Sequence, residues 1–350
     1  MFSHAPFAVH VGAFRAIALL GTIEDRYYVD PNIGEVAATV WEKKFGDSPT
    51  DNIFTSRAFF FSMGKDGFRQ EADGGRVFEH GVEFAENTNF HSYGEADELD
   101  TTRLSVFDAA RYDPKICAGT VTYTELDKLR SQARMGKYDL IAERLENGKD
   151  SHIADMNRQL LGSATTGTDI NGIQVLISTT PTTGSVGGIN RATFVFWRNR
   201  QNSGAQSVSA FDNLRSALTT TYNQCSLGGI KNTPRWVCTD RPSMQGYEQI
   251  LVAIEQLAEA KMKDDADIAF ANEMLKFKGA RMYFDEDAAA GNAYLYNNTN
   301  LKVDYYKGGW MKMYPPRDPH NQLMMIHKVA SFLNLATNGS RHLGVVNAIT

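Results

Sequence analysis

From Gly74-Gly75 onward, apolar and polar residues alternate. Phe78, Val82 and Phe84 fall on one side and Glu79 and Glu83 on the other, and Leu104, Val106, Ala110 and Tyr112 alternate likewise with Ser105, Ala109 and Arg111. A period of two marks a strand with one buried face, so the pattern predicts two long antiparallel strands. Their connector, Glu86 to Thr102, is polar, acidic and longer than a hairpin turn needs. At about 3.3 Å per residue, strands of about ten or eleven residues would make an arm of roughly 35 Å. That is too long, and too polar on both faces, to be buried in its own domain. The arm needs a partner; an ordinary meander lying on a sheet would not.

Ahead of this hairpin, two short helices are predicted at Glu35 to Phe45 and Asp51 to Met63, joined by Gly46-Asp47-Ser48-Pro49. After Pro114, Thr122 followed by Glu125 has capping-box spacing, which predicts a helix from near Tyr123, bent at Gly136. Its apolar stripe is narrow: Tyr138, Ile141, Leu145, His152, Met156 and Leu160 recur at helical spacing, with Asp139, Glu143, Glu146, Asp150 and Asp155 opposite. From Tyr138 to Leu161 such a helix is about 36 Å long, enough to run along a whole domain. His152 in that stripe reads as a core or interface histidine.

The Ser-, Thr- and Gly-rich segment Gly162 to Gly188 reads as a boundary enclosing a strand, Ile173 to Ile177, with another at Ala192 to Trp197. Beyond it a mixed α/β unit is predicted. Its elements are helix Ser209 to Cys225, strand Trp236 to Thr239, helices Pro242 to Ala260 and Ala266 to Lys276, and strand Arg281 to Phe284. Short strands follow at Tyr294, Leu301 to Tyr306, Trp310 to Met313 and Leu323 to Lys328.

The 350 residues, 42% hydrophobic and 22% charged, exclude a disordered chain or a coiled-coil rod and suit two compact units or one large one. The net charge of −5 argues against a protein that grips phosphate backbones by bulk charge. Cys117, Cys225 and Cys238 are odd in number and widely spaced, which suits neither a disulfide framework nor a metal or redox pair and points to a reducing cytoplasm. The apolar stretch Phe7 to Ile23, broken by His10 and Arg15, is too short to span a bilayer; it reads as an arm that packs on something or as a short surface helix.

Catalytic motifs fail on inspection. Gly162-Ser-Ala-Thr-Thr-Gly-Thr168 copies phosphate-loop glycine spacing, but Thr168 stands where the cationic Lys belongs, and the run follows a helix instead of a strand. Ser62-Met-Gly-Lys65 lacks the downstream partners of a serine acylase. The eight histidines are scattered, and Asp285-Glu286-Asp287 lacks calcium-loop spacing, so solvated charge is its expected role. The tyrosine-rich stretch Tyr294 to Tyr314 suits core and subunit contacts better than base stacking. No catalytic, cofactor-binding or metal residue is expected.

The order of these parts resembles the major capsid proteins of tailed phages with the Hong Kong 97-type fold. Gly74-Gly-Arg-Val, Phe84-Ala-Glu-Asn-Thr and Leu99-Asp-Thr-Thr look like that family's extended loop, and the Tyr123 to Leu161 helix looks like its spine. Gly187-Gly-Ile-Asn-Arg-Ala-Thr-Phe-Val-Phe-Trp-Arg-Asn199 is similar to the segment that follows the spine in one branch, and Leu275-Lys-Phe-Lys-Gly279 and Asn321-Gln-Leu-Met-Met-Ile-His-Lys328 fit the same branch.

The resemblance implies an α+β fold with an N-terminal arm, an extended β-hairpin loop, a long spine helix, a peripheral domain and an axial α/β domain. The expected divisions are 1–65 for the arm and short helices and 66–118 for the extended loop. The peripheral domain takes 119–199 and 296–328, and the axial domain 200–295 and 329–350. It also implies a structural function: hexamers and pentamers of this homo-oligomer close into an icosahedral shell around double-stranded DNA. The DNA is enclosed without sequence-specific binding, and no membrane is involved. Assembly in the host cytoplasm and a final place in the virion follow. A portal is implied, with or without a decoration protein, and the short stretch before Glu35 leads us to expect a separate scaffold. Phe84, Asn87, Phe90, Tyr93, Glu95, Asp97 and Glu98 are the extended-loop residues expected to touch a neighbouring subunit. The alternatives are an encapsulin-type nanocompartment shell, which shares the fold, and a cytoplasmic α/β nucleotide-binding enzyme.

Overall fold

The computed structural model describes residues 57–65, 67–95, 97–127, 140–206, 211–255, 275–319 and 321–349. The first half runs through helix α1 (Ala58–Lys65), strands β1 (Arg69–Ala72), β2 (Phe78–Glu83), β3 (Phe107–Tyr112) and β4 (Lys115–Thr124), and the long helix α2 (Leu140–Leu161). Next come α3 (Ile173–Leu176), β5 (Ser185–Val186), β6 (Ile189–Asn190), β7 (Arg200–Gln206), α4 (Phe211–Cys225), β8 (Trp236–Thr239) and α5 (Arg241–Glu255). The chain ends in strands β9 (Leu275–Phe277), β10 (Ala280–Phe284), β11 (Ala293–Tyr296), β12 (Leu301–Tyr306), β13 (Lys312–Arg317), β14 (Met324–Thr337) and β15 (Gly344–Ile349). The expected arm and the helix Glu35 to Phe45 lie outside the described residues, as do Gly136 and Tyr138. No helix among the described residues is long and apolar enough to cross a membrane.

The described residues divide between two compact units. In the smaller, made of residues 122–127, 140–146, 318–319 and 321–325, the capping box forms two positions later than the sequence suggests. The strand β4 continues to Thr124, whose hydroxyl accepts from Asp127 N–H at 3.1 Å while the Asp127 carboxylate accepts from Thr124 N–H at 3.2 Å. A strand therefore occupies the start of the predicted helix. Glu125 N–H donates to Leu323 O at 3.2 Å, and Arg144 lies 3.5 Å from Asp127.

The larger unit holds two main sheets. One runs β1-β12-β14-β13, with β4 also on β14; the other runs β7-β15-β11-β8-β10-β9. β14 passes through position 328, so a division of the chain at 328/329 falls inside one strand. The central strands β8 and β11 are buried at every position, as expected of strands covered on both faces. Alternation then sorts their side chains. Val237 and Leu295 join Leu214, Leu218, Met244 and Tyr247 of α4 and α5, while Trp236, Cys238, Tyr294 and Tyr296 face the second core with Met156 and Leu160 of α2.

Two predicted strands differ in the structure. Ile173 to Leu176 is a one-turn helix, because Ile173, Leu176 and Ile177, three and four positions apart, are buried together in the core while Gln174 and Val175 between them are half-buried. Val195–Trp197 is a 3-10 turn that sends Trp197 inward, its indole N–H donating to Val186 O at 2.9 Å. Leu275 and Lys276, predicted as helix, belong to β9.

Gly172, at the start of α3, lies against the end of α2. A Cβ there would fall 1.9 Å from Gly162 O and 2.8 Å from Gln159 O, and these backbone atoms cannot yield as a side chain would. Gly172→Ala is therefore expected to cost about 3 kcal/mol by overpacking, read as a lower urea midpoint at unchanged slope. An unchanged midpoint would contradict the close approach.

The Asp285-Glu286-Asp287 triplet is not simply solvated, contrary to expectation. Asp285 is fully buried, because its carboxylate closes the N-terminus of α1: it accepts from Phe59 N–H at 3.0 Å, and beside it Asn157 of α2 accepts from Phe60 N–H at 3.0 Å. Asn157 Nδ2 donates in turn to Asp285 at 3.1 Å and Asp287 at 2.9 Å. Burial is the largest influence on Asp285 and lifts its pKa to about 6, although hydrogen bonds from Phe59 and Asp287 N–H pull the other way. The fold thus holds this proton more tightly than the unfolded chain, so stability rises as pH falls towards about 4 and is lost as pH climbs through about 6. Measured against Asp285→Asn, the unaltered chain should gain about 2 kcal/mol of relative stability between pH 7 and pH 4. A difference that stays flat with pH would contradict this.

Candidate assembly surface

β2 and β3 pair antiparallel from Phe78↔Tyr112 to Glu83↔Phe107, as the alternation predicts, but over six residues each, not ten or eleven. The strands end where side chains stop finding cover. On the inner face Phe78, His80, Val82, Ala110 and Tyr112 are buried; on the outer face Glu79 and Arg111 form an exposed ion pair at 3.0 Å that contributes little. The inner face is seated on the first sheet. Phe78 meets Tyr306 at 5.0 Å between ring centres, His80 Nε2 lies 2.5 Å from the Asp304 carboxylate, and Tyr112 O–H donates to Thr337 O at 2.8 Å. Asn334 Nδ2 donates to Asp113 O at 2.6 Å.

A second support is the segment Gly187 to Asn199. Gly187 takes φ +60° and lies so close to Ala110 and Tyr112 that a Cβ would reach 2.9–3.0 Å from them, while Arg111 N–H donates to Gly187 O at 2.9 Å. Phe84 stacks on Phe196 at 5.8 Å, and Phe194 meets Phe196 edge-on at 5.8 Å. Phe194 and Val195 themselves are exposed. The run of four apolar residues Phe194 to Trp197 was the sequence signal for this patch, but its division into inward and outward halves follows from the turn.

Beyond Phe84 the tip loop makes its own structure with no core. Asn89 N–H donates to the Asn87 side chain at 3.0 Å and Asn89 Nδ2 to Thr102 O at 2.7 Å, which draws the two sides together. The Tyr93 hydroxyl donates to Asn89 O at 3.1 Å and accepts from Asp100 N–H at 3.0 Å, and Asp97 accepts from Gly94 N–H at 2.6 Å. Hydrogen bonds from Thr102 hold the Asp100 carboxyl below its ordinary range. Of the seven singled-out residues, the structure gives Phe84 a half-buried stacking role and Asn87, Tyr93 and Asp97 internal bonds. Glu95, Glu98 and Phe90 are left exposed, Phe90 at 86%, with Leu99 beside them in sequence at 69%.

Two arrangements that imitate active sites have inert chemistry. Cys117 Sγ lies 3.8 Å from His152 Nδ1 and 3.5 Å from Asp155, but burial, then the neighbouring carboxylate, raises the thiol to about 12 and burial lowers His152, so the sulfur keeps its proton. In the glycine-rich loop, the Asp169 carboxylate accepts from Thr166 N–H at 2.9 Å and from the Thr166 hydroxyl, taking donors that a phosphate would need.

The solved structures on which this chain superimposes include phage capsids and an encapsulin complex. The chain superimposes on the capsid asymmetric unit of cyanophage A-1(L) with a TM-score of 0.68 at 17% identity, covering 88% of this chain and 98% of that one. Against the holo-SrpI encapsulin complex from Synechococcus elongatus PCC 7942 the TM-score is 0.57 at 9% identity, covering 89% and 95%. Against the capsid of Myoviridae phage XM1 it is 0.56 at 8% identity, covering 86% and 95%. No family model matches the sequence, and neither does any curated protein. Near-complete coverage on both sides identifies the fold as the Hong Kong 97 type.

Proposed function

We propose that this chain is a phage major capsid protein, whose copies tile into hexamers and pentamers of an icosahedral shell enclosing double-stranded DNA. The observation that carries the reading is the hairpin: a base fixed by buried contacts and a tip whose Phe90 and Leu99 are exposed, with no cover among the described residues. A subunit held to its neighbours through several such contacts gains avidity without any one strong site. The fold supports the reading, because it is the fold of the cyanophage A-1(L) and phage XM1 capsids. A scaffold, a portal and a virion location belong to this proposal.

The second reading, an enzyme-loading compartment, is favoured by the fold shared with the encapsulin complex. Nucleic acid content of particles purified from the cells that make the protein separates the two: double-stranded DNA supports the capsid, and co-purifying protein cargo without DNA supports the compartment.

Some members of the Hong Kong 97-type family weld their shells by isopeptide bonds between an extended-loop lysine and a neighbour's asparagine. Here no lysine occurs between Lys65 and Lys115, so the hairpin lacks the amine nucleophile, and Lys115 Nζ donates to Gly167 O in its own chain. Every subunit is therefore expected to run as a single 38.9 kDa band after boiling in detergent. A ladder of multimers with a Lys–Asn linked peptide would contradict this.

A further inference from the structure

Within the larger unit a cleft of about 440 Å³ opens where the end of β2 meets the Val195–Trp197 turn and the Ser340–His342 turn between β14 and β15. Its lining combines aromatic rings with carboxylates. Phe84 and Phe196, stacked at 5.8 Å with 29° between their planes, are both half-buried, and Glu83 and Glu86 stand on either side of Phe84 in the chain. Neither carboxylate has an ion-pair partner among the described residues, and neither does Arg341 on the same lining, so the charges of the cleft do not neutralise one another.

Two glutamates make no site by themselves. The independent observation is Asn300, which is 5% exposed and lines the cleft. Its Nδ2 donates to Asn232 Oδ1 at 3.3 Å, but its own Oδ1 accepts from no donor among the described residues. A Cβ on Gly339, also on the lining, would fall 2.8 Å from that oxygen, so the glycine leaves the approach to it open. His342 adds a further acceptor. Its Nδ1 lies 3.1 Å from Cys225 O, a carbonyl that can only accept, so Nδ1 carries the proton and Nε2 keeps its lone pair. Burial is the largest influence on this imidazole and lowers its pKa, with Arg341 and Arg200 acting the same way against the bond to Cys225 O, so the ring is neutral at pH 7.

Anions and acceptors therefore outnumber cations here. With Glu83 and Glu86 against Arg341 the lining carries a net −1, which a monocation neutralises. A planar cation rich in N–H donors fits best, because it can stack on a phenyl face while its edge reaches carboxylates and an amide oxygen. Guanidinium has that form; an ammonium has three donors and no flat face. Exposed Phe194, edge-on to Phe196 at 5.8 Å, and exposed Val195 supply an apolar rim for the residues on either side of an arginine.

We propose that this cleft binds the guanidinium of an arginine side chain on a polypeptide partner, with Phe84 and Phe196 against its flat face, Glu83 and Glu86 as counter-ions and Asn300 Oδ1 as a further acceptor. The site is independent of the shell reading, and its test does not require assembly.

Isothermal titration calorimetry on the expressed full chain uses three probes: an acetylated and amidated Leu-Arg-Leu tripeptide, its Leu-Lys-Leu counterpart, and butylguanidine, which has the arginine head without the polypeptide. The arginine peptide is expected to saturate with a Kd of about 1 mM or below, and each of the other two to bind about threefold or more weakly. Glu83→Gln with Glu86→Gln, at two exposed positions, should weaken the arginine peptide by about tenfold or more, whereas Arg341→Gln, which removes a like charge, should tighten it by about threefold. Circular dichroism confirms the fold of each variant. The site is overturned if neither guanidine saturates, if binding survives the double substitution, or if Arg341→Gln weakens it. A lysine peptide as tight as the arginine peptide overturns the guanidinium, and butylguanidine as tight as the peptide overturns the polypeptide as its source. Should the double variant misfold, the unaltered chain decides: raising sodium chloride from about 50 mM to about 500 mM must weaken the arginine peptide, and salt-insensitive binding overturns the carboxylate contact.

Discussion

Removal of Asn87 to Asp100 is expected to abolish closed shells while leaving the chain folded. None of the described residues in that stretch is buried, and most of its side-chain hydrogen bonds stay within the loop. The strands beneath keep their pairing, extended by the Phe84 N–H to Val106 O bond at 3.0 Å, so the hairpin can close over a shorter connection. Circular dichroism and thermal unfolding should therefore change little, by no more than a few degrees. The lost groups are Phe90, Leu99 and four of the tip's five carboxylates, all exposed among the described residues. Shells of normal size and yield from the deletion variant would show that the tip does not carry assembly.

The second large effect is expected at the hairpin's base. His80 and Asp304 are both buried, and the other Asp304 oxygen, Oδ1, has no hydrogen-bond partner among the described residues. His80→Leu would strand the whole carboxylate in the core, a loss of about 3–5 kcal/mol for breaking a buried pair from one side. Replacing both, His80→Leu with Asp304→Leu, removes the stranded group as well and should recover much of the loss. Urea unfolding of the two variants decides the matter. A single variant within about 1 kcal/mol of the unaltered chain would mean that the pair does not fasten the hairpin to the sheet.

How much of this was legible beforehand depends on the range over which each signal acts. Trp236–Thr239 and Leu301–Tyr306 were read at their true boundaries, because apolar runs bounded by turns identify buried strands locally. The hairpin's pairing and facing were legible too, since alternation is a local property. Its strand length was not, because strands end where the supporting sheet and the Gly187 to Asn199 segment end. Ile173 to Leu176 misled for a related reason: a short buried run has no periodicity that separates strand from helix.

The candidate surface was legible in part: the stretch that holds Phe90, Glu95 and Glu98 stood out because it is too polar to build a core, and the structure leaves these three residues exposed. What the sequence could not show is which distant residues share a face, as Lys312 and Lys328 do only through the β13–β14 register. Asp285 shows the opposite failure: three acidic residues in a row look solvated, and nothing local signals that the first will cap a helix more than 200 residues earlier in the chain.

Electron microscopy of the particles formed by the expressed full chain is the most direct test of the shell reading. Closed shells of uniform diameter, built from six-fold and five-fold rings, are the expected result. Preparations that hold only 38.9 kDa monomers by light scattering, with no rings or shells in the micrographs, would contradict it.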